Sequence, residues 1–226
     1  LNSCKAMLFD LDNTLLNRDM AVDKLFLMLV EKCYIDVDHS IKNDMRQKFK
    51  EYDKKDFGKN DKTKVLASLF DEFPPRYKMP RHAIQDFWNH HFPQCFSINQ
   101  DTITIINSIK KQVKVGIITN GSVERQKAKI FHTNLDHCFD TIIISDEVGW
   151  RKPDKRIFEF ALNRLHVNPE DTLFVGDDLE KDIGGCQQAN IKGIWFNPSK
   201  SKNDTDIQPY AEIHSFELIK LLNIEE

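Results

Sequence analysis

The chain has 226 residues, 40% hydrophobic and 30% charged, with a formal net charge of −3. That length and apolar content suit one folded domain, or one domain carrying an insert, and exclude a disordered chain. The slight negative charge leaves no basic surplus for a nucleic acid polymer or an anionic membrane, and the longest apolar runs fall short of a membrane span. No secretory leader is expected, and Leu1-Asn2-Ser3, which lacks an initiator Met, is set aside from the fold as an appended remnant. Five cysteines (Cys4, Cys33, Cys95, Cys138, Cys186) are scattered, odd in number and free of any Cys-x-x-Cys. They predict reduced thiols in a cytoplasmic protein, with neither a disulfide framework nor a zinc site. His90 and His91 are neighbours that diverge on a helix, so no histidine metal site is expected.

Residues 5–11 form a short apolar run ending in acid, read as a buried parallel strand whose carboxyl end carries Asp10 and Asp12. Ligands of open α/β sheets bind at that end, and residues i and i+2 of an extended chain point the same way, so the two carboxylates are expected to share one site. Two anions so close need a cation, a shared proton or strong donors. An Asp-x-Asp pair also fits a plain turn after a strand.

Helix spacing follows. Val22, Leu25, Phe26, Leu29, Val30 and Cys33 make one apolar face. Asp38 can cap a second helix with Ile41, Met45, Phe49 and Tyr52 inward. Residues 53–62, with Gly58 among them, read as a polar loop. A third helix shows Val65, Leu66, Leu69, Phe70 and Phe73 and stops at Pro74-Pro75. Pro80 suits the first position of a fourth, with Ala83, Ile84, Phe87, Trp88 and His91 inward. Four such helices with short connections describe a small bundle.

Residues 101–111 carry β-branched side chains, yet Thr102, Ile105, Ile106 and Ile109 fit a helix stripe, and a helix is expected. Strands and helices then alternate. Residues 114–120 are a strand ending in Thr119-Asn120-Gly121-Ser122, with Ser122 placed to cap the next helix, and 141–146 are another strand. Arg151-Lys152-Pro153-Asp154 leads into a helix with Ile157, Phe158, Ala161, Leu162 and Leu165 inward. Residues 172–177 are a strand ending in acid, a helix holds Ile183 and Gly184-Gly185, and 192–197 are the last strand. Residues 203–210 read as loop and 216–222 as a terminal helix. The expected fold is α/β: a Rossmann-like parallel sheet covered by helices on both faces, from residues 1–16 and 97–226, with a four-helix bundle inserted over 17–96.

Four segments thus converge at the carboxyl ends of strands: Asp10 and Asp12, Thr119-Asn120, Lys152, and Gly176-Asp177-Asp178 through Asp182. Singly, each has an ordinary alternative: a turn, a solvated lysine, acids favoured at a helix N-terminus. Together they resemble the haloacid dehalogenase superfamily, in its phosphatase branch with a helical cap inserted after the first motif. The motifs in order are Asp10-Leu11-Asp12-Asn13-Thr14, Thr119, Lys152 and Gly176-Asp177-Asp178-Leu179-Glu180-Lys181-Asp182, and the match spans nearly the whole chain. Dehalogenating members lack the second aspartate of the first motif, whereas this chain keeps Asp12; the Thr-Asn-Gly form of the second motif is similar to members acting on nucleotide and sugar phosphates. Ala189-Asn190 stands where relatives carry Ala-Gly, and Asn tolerates the left-handed backbone there.

The resemblance implies a Mg²⁺-dependent phosphatase acting on a small phosphorylated metabolite through an aspartyl-phosphate on Asp10, with Asp12 as acid and base. It implies Mg²⁺ held by Asp10 and Asp177 side chains and the Asp12 carbonyl, phosphate bound by Thr119, Asn120 and Lys152, and Asp182 orienting Lys152 or metal-bound water. A hard cation taking oxygen ligands at roughly 2.0–2.1 Å suits a pocket without thiol or imidazole. Asp178 receives no role. A phosphomutase on the same core, or a non-catalytic binding protein, are the alternatives. Specificity is expected in the insert, where Phe57, Gly58 and Lys59 are either substrate contacts or part of a solvated connector.

Overall fold

The first apolar run becomes the centre of a sheet. The computed structural model describes residues 4–56 and 61–217. The chain divides into two units, Leu1–Asn17 with Ile98–Glu226, and Arg18–Ser97. In the first, β1 (Ala6–Phe9), β2 (Lys114–Thr119), β3 (Thr141–Ile144), β4 (Thr172–Gly176), β5 (Lys192–Phe196) and β6 (Ala211–Ile213) pair in parallel, in the order β3-β2-β1-β4-β5-β6. This is the doubly wound order, and its direction reverses between β1 and β4. Phe9 lies in register with Ile117 of β2 and Val175 of β4, so the residues that follow these strands emerge side by side. β6 is a strand that the polar run before it concealed. β3 stops at Ile144 because Ser145 and Asp146 already belong to a helix.

The second unit holds α1 (Arg18–Cys33), α2 (His39–Lys55), α3 (Thr63–Glu72) and α4 (Arg81–His91). The predicted stripe of α1 is buried throughout, and Asp38 caps α2 by accepting from the Ser40 N–H at 2.8 Å. Phe26, Phe49, Trp88, Phe92 and Phe96 form a chain of rings with successive centroids 4.9–5.8 Å apart, the aromatic core of the unit.

Two readings of α2 are corrected. Ile41 is 48% exposed, and the inward face continues instead to Asp53, because the helix runs on to Lys55. Asp53 is buried between Arg18, whose Nη1 and Nη2 lie 2.5 and 2.9 Å from its oxygens, and Lys62, whose Nζ lies 3.3 Å away. A carboxylate so paired sits on an apolar face without the cost of an unpaired charge, which periodicity of apolar residues cannot reveal. Phe57, Gly58 and Lys59 lie outside the described residues. Pro80 stands one residue before α4 rather than at its first position.

The first unit's helices are α5 (Gln100–Lys110), α6 (Val123–His132), α7 (Ser145–Val148), α8 (Lys155–Leu165) and α9 (Gly185–Gln188). The helix chosen over 101–111 is present, with Thr102, Ile105, Ile106 and Ile109 buried. α8 buries its five predicted residues with Leu8, Ile118, Ile143 and Phe174 on one side of the sheet. Phe158 meets Phe174 edge-on at 5.2 Å; each such burial stabilises by about 1.5–3 kcal/mol. On alternate positions Phe9 points the other way, to Phe139 and Phe216, so both faces are covered. Ser122 holds the N-cap position of α6, but its Oγ accepts from Arg125 Nε rather than from the helix backbone. The segment 179–184 forms a π-type turn leading into α9, and Asn190 has φ of 59°, the left-handed conformation expected of it. Of the terminal helix expected over 216–222, residues 218–222 fall outside the described residues. Among the described residues, no helix is long and apolar enough to cross a membrane.

Candidate active site

β1 ends at Phe9, and the chain then turns tightly. The Leu15 and Leu16 N–H groups both donate to the Leu11 carbonyl, and Asn13 takes φ of 63°. Asp10, next to the strand, is buried, and its N–H donates to Val175 O at 2.9 Å. Asp12 lies within the turn, so the alternation that would aim both carboxylates alike does not reach it. The turn also presents Thr14, whose hydroxyl donates to Asp177 Oδ1 at 3.1 Å.

Lys152 joins the elements. Its Nζ lies 2.5 Å from Asp10 Oδ1 and 2.6 Å from Asp182 Oδ1, with all three residues buried. Asp182 Oδ2 accepts from the Asp178 N–H at 3.1 Å. Its carboxylate reaches this place over Gly176, where an added Cβ would fall 2.4 Å from an Asp182 oxygen. Asp178 now has a role, as the cap of the π-type turn, accepting from the Glu180 and Lys181 N–H groups. Asn120 grips the main chain of Lys152 from both sides, Oδ1 accepting from its N–H and Nδ2 donating to its carbonyl, each at 2.9 Å. Its side chain is therefore spent on holding Lys152, which leaves the Asn120 main chain as the part that can meet a phosphate.

Asp10, Asp177 and Asp182 bring carboxylate oxygens within 4.8 Å of one another. Burial pushes Asp10 well above the usual carboxylate range; Lys152 opposes the shift, while Asp182 and Asp177 add to it. Asp177 is pushed up to about 7, again by burial first and by Asp182 next. For Lys152 burial works against the charge, but Asp10 and Asp182 outweigh it and its pKa is raised. Three acids thus face one ammonium in a dry setting. The donor set is all oxygen and short of positive charge, which fits a hard divalent cation such as Mg²⁺.

Sequence reasoning missed two members. Thr119 Oγ1 lies 2.6 Å from Gln126 Nε2, and both Asp12 oxygens contact Lys129 Nζ at 2.9 and 2.7 Å. Gln126 and Lys129 are buried on the inner face of α6 with Ile130. The available signal was a helix whose inward positions i, i+3 and i+4 are mostly polar, a pattern that requires buried partners.

Carboxylates after the central strand, a buried lysine and a hydroxyl at the end of the adjacent strand thus stand at one edge of the sheet. The family model for haloacid dehalogenase-like hydrolases matches residues 7–196, and the chain belongs to that family. It is 29% identical to the glyceraldehyde 3-phosphate phosphatase of Pyrococcus furiosus, over 98% of this chain and 93% of that protein. It is 37% identical to the pyrimidine 5'-nucleotidase YjjG of Escherichia coli over 53% of this chain and 54% of the relative. In structure it is similar to Bacillus subtilis YfnB bound to magnesium, with a TM-score of 0.80 at 24% identity, covering 98% of this chain and 99% of that one.

Proposed function

We propose that this chain is a Mg²⁺-dependent phosphatase that hydrolyses a small phosphomonoester, of the nucleotide or sugar phosphate class, through an aspartyl-phosphate on Asp10. The observation that carries the reading is the position of Asp10: buried at the carboxyl end of the central strand, touching Lys152, within a cluster of acids that lacks balancing charge. The phosphatase relatives, and the magnesium named with YfnB, support it.

The Asp10 and Asp177 side chains and the main-chain carbonyl of Asp12 are the groups that would hold Mg²⁺. Bound there, the ion supplies the positive charge that lets Asp10 stay ionised beside a phosphoryl group. Asp10 attacks phosphorus as the ester P–O bond breaks, splitting one hard displacement into two. Asp12 gives its proton to the departing oxygen. It then takes one from the water whose oxygen displaces Asp10 and frees inorganic phosphate. Thr119, the Asn120 main chain and Lys152 bind phosphoryl oxygens as negative charge spreads over them. Asp182 keeps Lys152 aimed at Asp10. Substrate choice is assigned to the helical insert, residues 17–96, because the core groups named here recognise only the phosphoryl end shared by all monoesters.

The test is phosphate release, with Mg²⁺, from a panel of nucleoside monophosphates, sugar phosphates and small acid phosphates. Multiple turnover is expected on at least one class, and Asp10→Asn should lower it about 10³-fold or more while the protein stays folded. No release by the wild type, or near-wild-type release by a folded Asp10→Asn protein, would contradict the reading.

A further inference from the structure

α6 places two polar side chains inward, Gln126 and Lys129, each no more than 4% exposed. A spacing of three keeps them on one side of the helix. A buried ammonium without a partner costs several kcal/mol, so what Lys129 touches is informative. It spans both oxygens of Asp12, at 2.9 and 2.7 Å. Gln126 reaches two groups with one nitrogen: Nε2 lies 2.6 Å from Thr119 Oγ1 and 3.4 Å from Asp12 Oδ2.

The direction of the Gln126 contact follows from chemistry. The atom that faces Thr119 Oγ1 and Asp12 Oδ2 is the amide nitrogen, which donates and cannot accept. The same NH₂ therefore donates to Thr119 Oγ1 and occupies one of its lone pairs. The hydroxyl proton of Thr119 is left to point at another acceptor. The loop beside it fits closely, since a Cβ added at Gly121 would come within 3.0 Å of Gln126 Cδ. One turn of helix thus touches both the Thr119 hydroxyl and the Asp12 carboxylate.

We propose that Gln126 and Lys129 are positioning residues acting on different parts of the reaction. Gln126 turns the Thr119 hydroxyl toward a phosphoryl oxygen, and Lys129 holds the Asp12 carboxylate where the ester oxygen departs. The proposal rests on the phosphatase reading above, and it separates the two residues by what each should change. Phosphoryl binding is common to every monoester. Proton donation matters for an alkyl leaving group, which departs as an unstable alkoxide, and hardly at all for dinitrophenolate, which leaves unaided.

The experiment measures kcat/KM on 2,4-dinitrophenyl phosphate and on the alkyl monoester with the highest kcat/KM in the screen, together with inhibition by inorganic phosphate. Lys129→Met should lower kcat/KM on the alkyl ester about 100-fold and on the dinitrophenyl ester less than about fivefold, with phosphate inhibition unchanged. Lys129→Arg should recover most of the alkyl activity. Gln126→Met should weaken phosphate inhibition about tenfold and lower both esters alike, the loss of one aimed donor. Equal losses on both esters in Lys129→Met, or unchanged phosphate inhibition in Gln126→Met, overturn the assignment. Lys129→Met removes the cation that touches both Asp12 oxygens, so folding is controlled with the double variant Asp12→Asn/Lys129→Met, which removes both charges and is measured against Asp12→Asn. The two should match, because Lys129 acts only through Asp12; a further loss overturns the proposal. Asp12→Asn also separates the two levels of inference. If it slows both esters equally, or the wild type cleaves neither, the phosphatase reading fails and takes this proposal with it. If it is selective for the alkyl ester and Lys129→Met is not, only the positioning role fails.

Discussion

Each unit buries a cluster of ions, built in opposite proportions. In the α/β unit Asp10, Asp177 and Asp182 converge with Lys152, three acids to one cation. In the helical unit Asp53 is held by Arg18 and Lys62, one acid between two cations. Lys62 also donates to the Asp56 carbonyl at 2.7 Å and lies over the Trp88 ring at 5.5 Å, as Arg18 lies over Phe92 at 5.4 Å. Burial pushes Asp53 up, but Arg18 and then Lys62 carry it below the usual carboxylate range; Asp10 and Asp177 are carried the other way. Asp53 is fully met by its cations, whereas a surplus of acid enclosed by protein marks a place for a cation. The same kinds of side chain therefore satisfy one another in one unit and leave a surplus of acid in the other.

The sharpest way to break this comparison is to remove one acid from each cluster. Asp53→Ala takes the carboxylate from between Arg18 and the buried Lys62, and denaturant unfolding should show a loss of about 3–5 kcal/mol. A loss below about 1 kcal/mol would mean that the pair is not a structural one. Asp177→Asn should do the reverse, keeping or raising stability in chelator because a like charge is removed, while phosphate release with Mg²⁺ falls about 100-fold or more. Retained activity in that variant would remove Asp177 from the metal set.

The smallest expected effect is in pH. A carboxylate whose folded pKa is raised from 3.8 to about 7, as for Asp177, contributes stability that is complete below about 3.8 and lost as pH rises through about 7. Asp53, lowered when folded, contributes stability above about 3.8 that is lost as pH falls through its folded value. In chelator, the melting temperature should therefore fall by a few degrees between about pH 6 and about pH 8, and Mg²⁺ should raise it more at the higher pH. An equal Mg²⁺ shift at both pH values would contradict the assignment of a charge deficit to this pocket.

Much of this was legible because it depends on local pattern. The apolar runs before Asp10, Thr119 and Asp177 are strands, and the stripe of Thr102, Ile105, Ile106 and Ile109 is a helix face. What stayed hidden depends on partners distant in sequence. Asp53 read as loop because its cations lie 35 and 9 residues away. Lys129 is paired with Asp12 across 117 residues, and no periodicity announces such a bond. The Asn120 side chain is used on the Lys152 main chain, 32 residues on, and nothing local announced that grip either. β6 has three residues and follows a polar run, too little pattern to mark a strand.

The central claim is that Asp10 carries the phosphoryl group and Asp12 moves the protons. The most direct measurement is the pre-steady-state release of dinitrophenol from 2,4-dinitrophenyl phosphate by Asp12→Asn with Mg²⁺, followed by peptide mapping of the quenched protein. The first displacement needs no proton for this leaving group, whereas the second needs a base for water. A burst approaching one dinitrophenol per chain is expected, with one phosphoryl group on the peptide that contains Asp10. Dinitrophenol released without a burst and in step with phosphate from the first turnover, or a phosphoryl group on any other residue, would contradict the account.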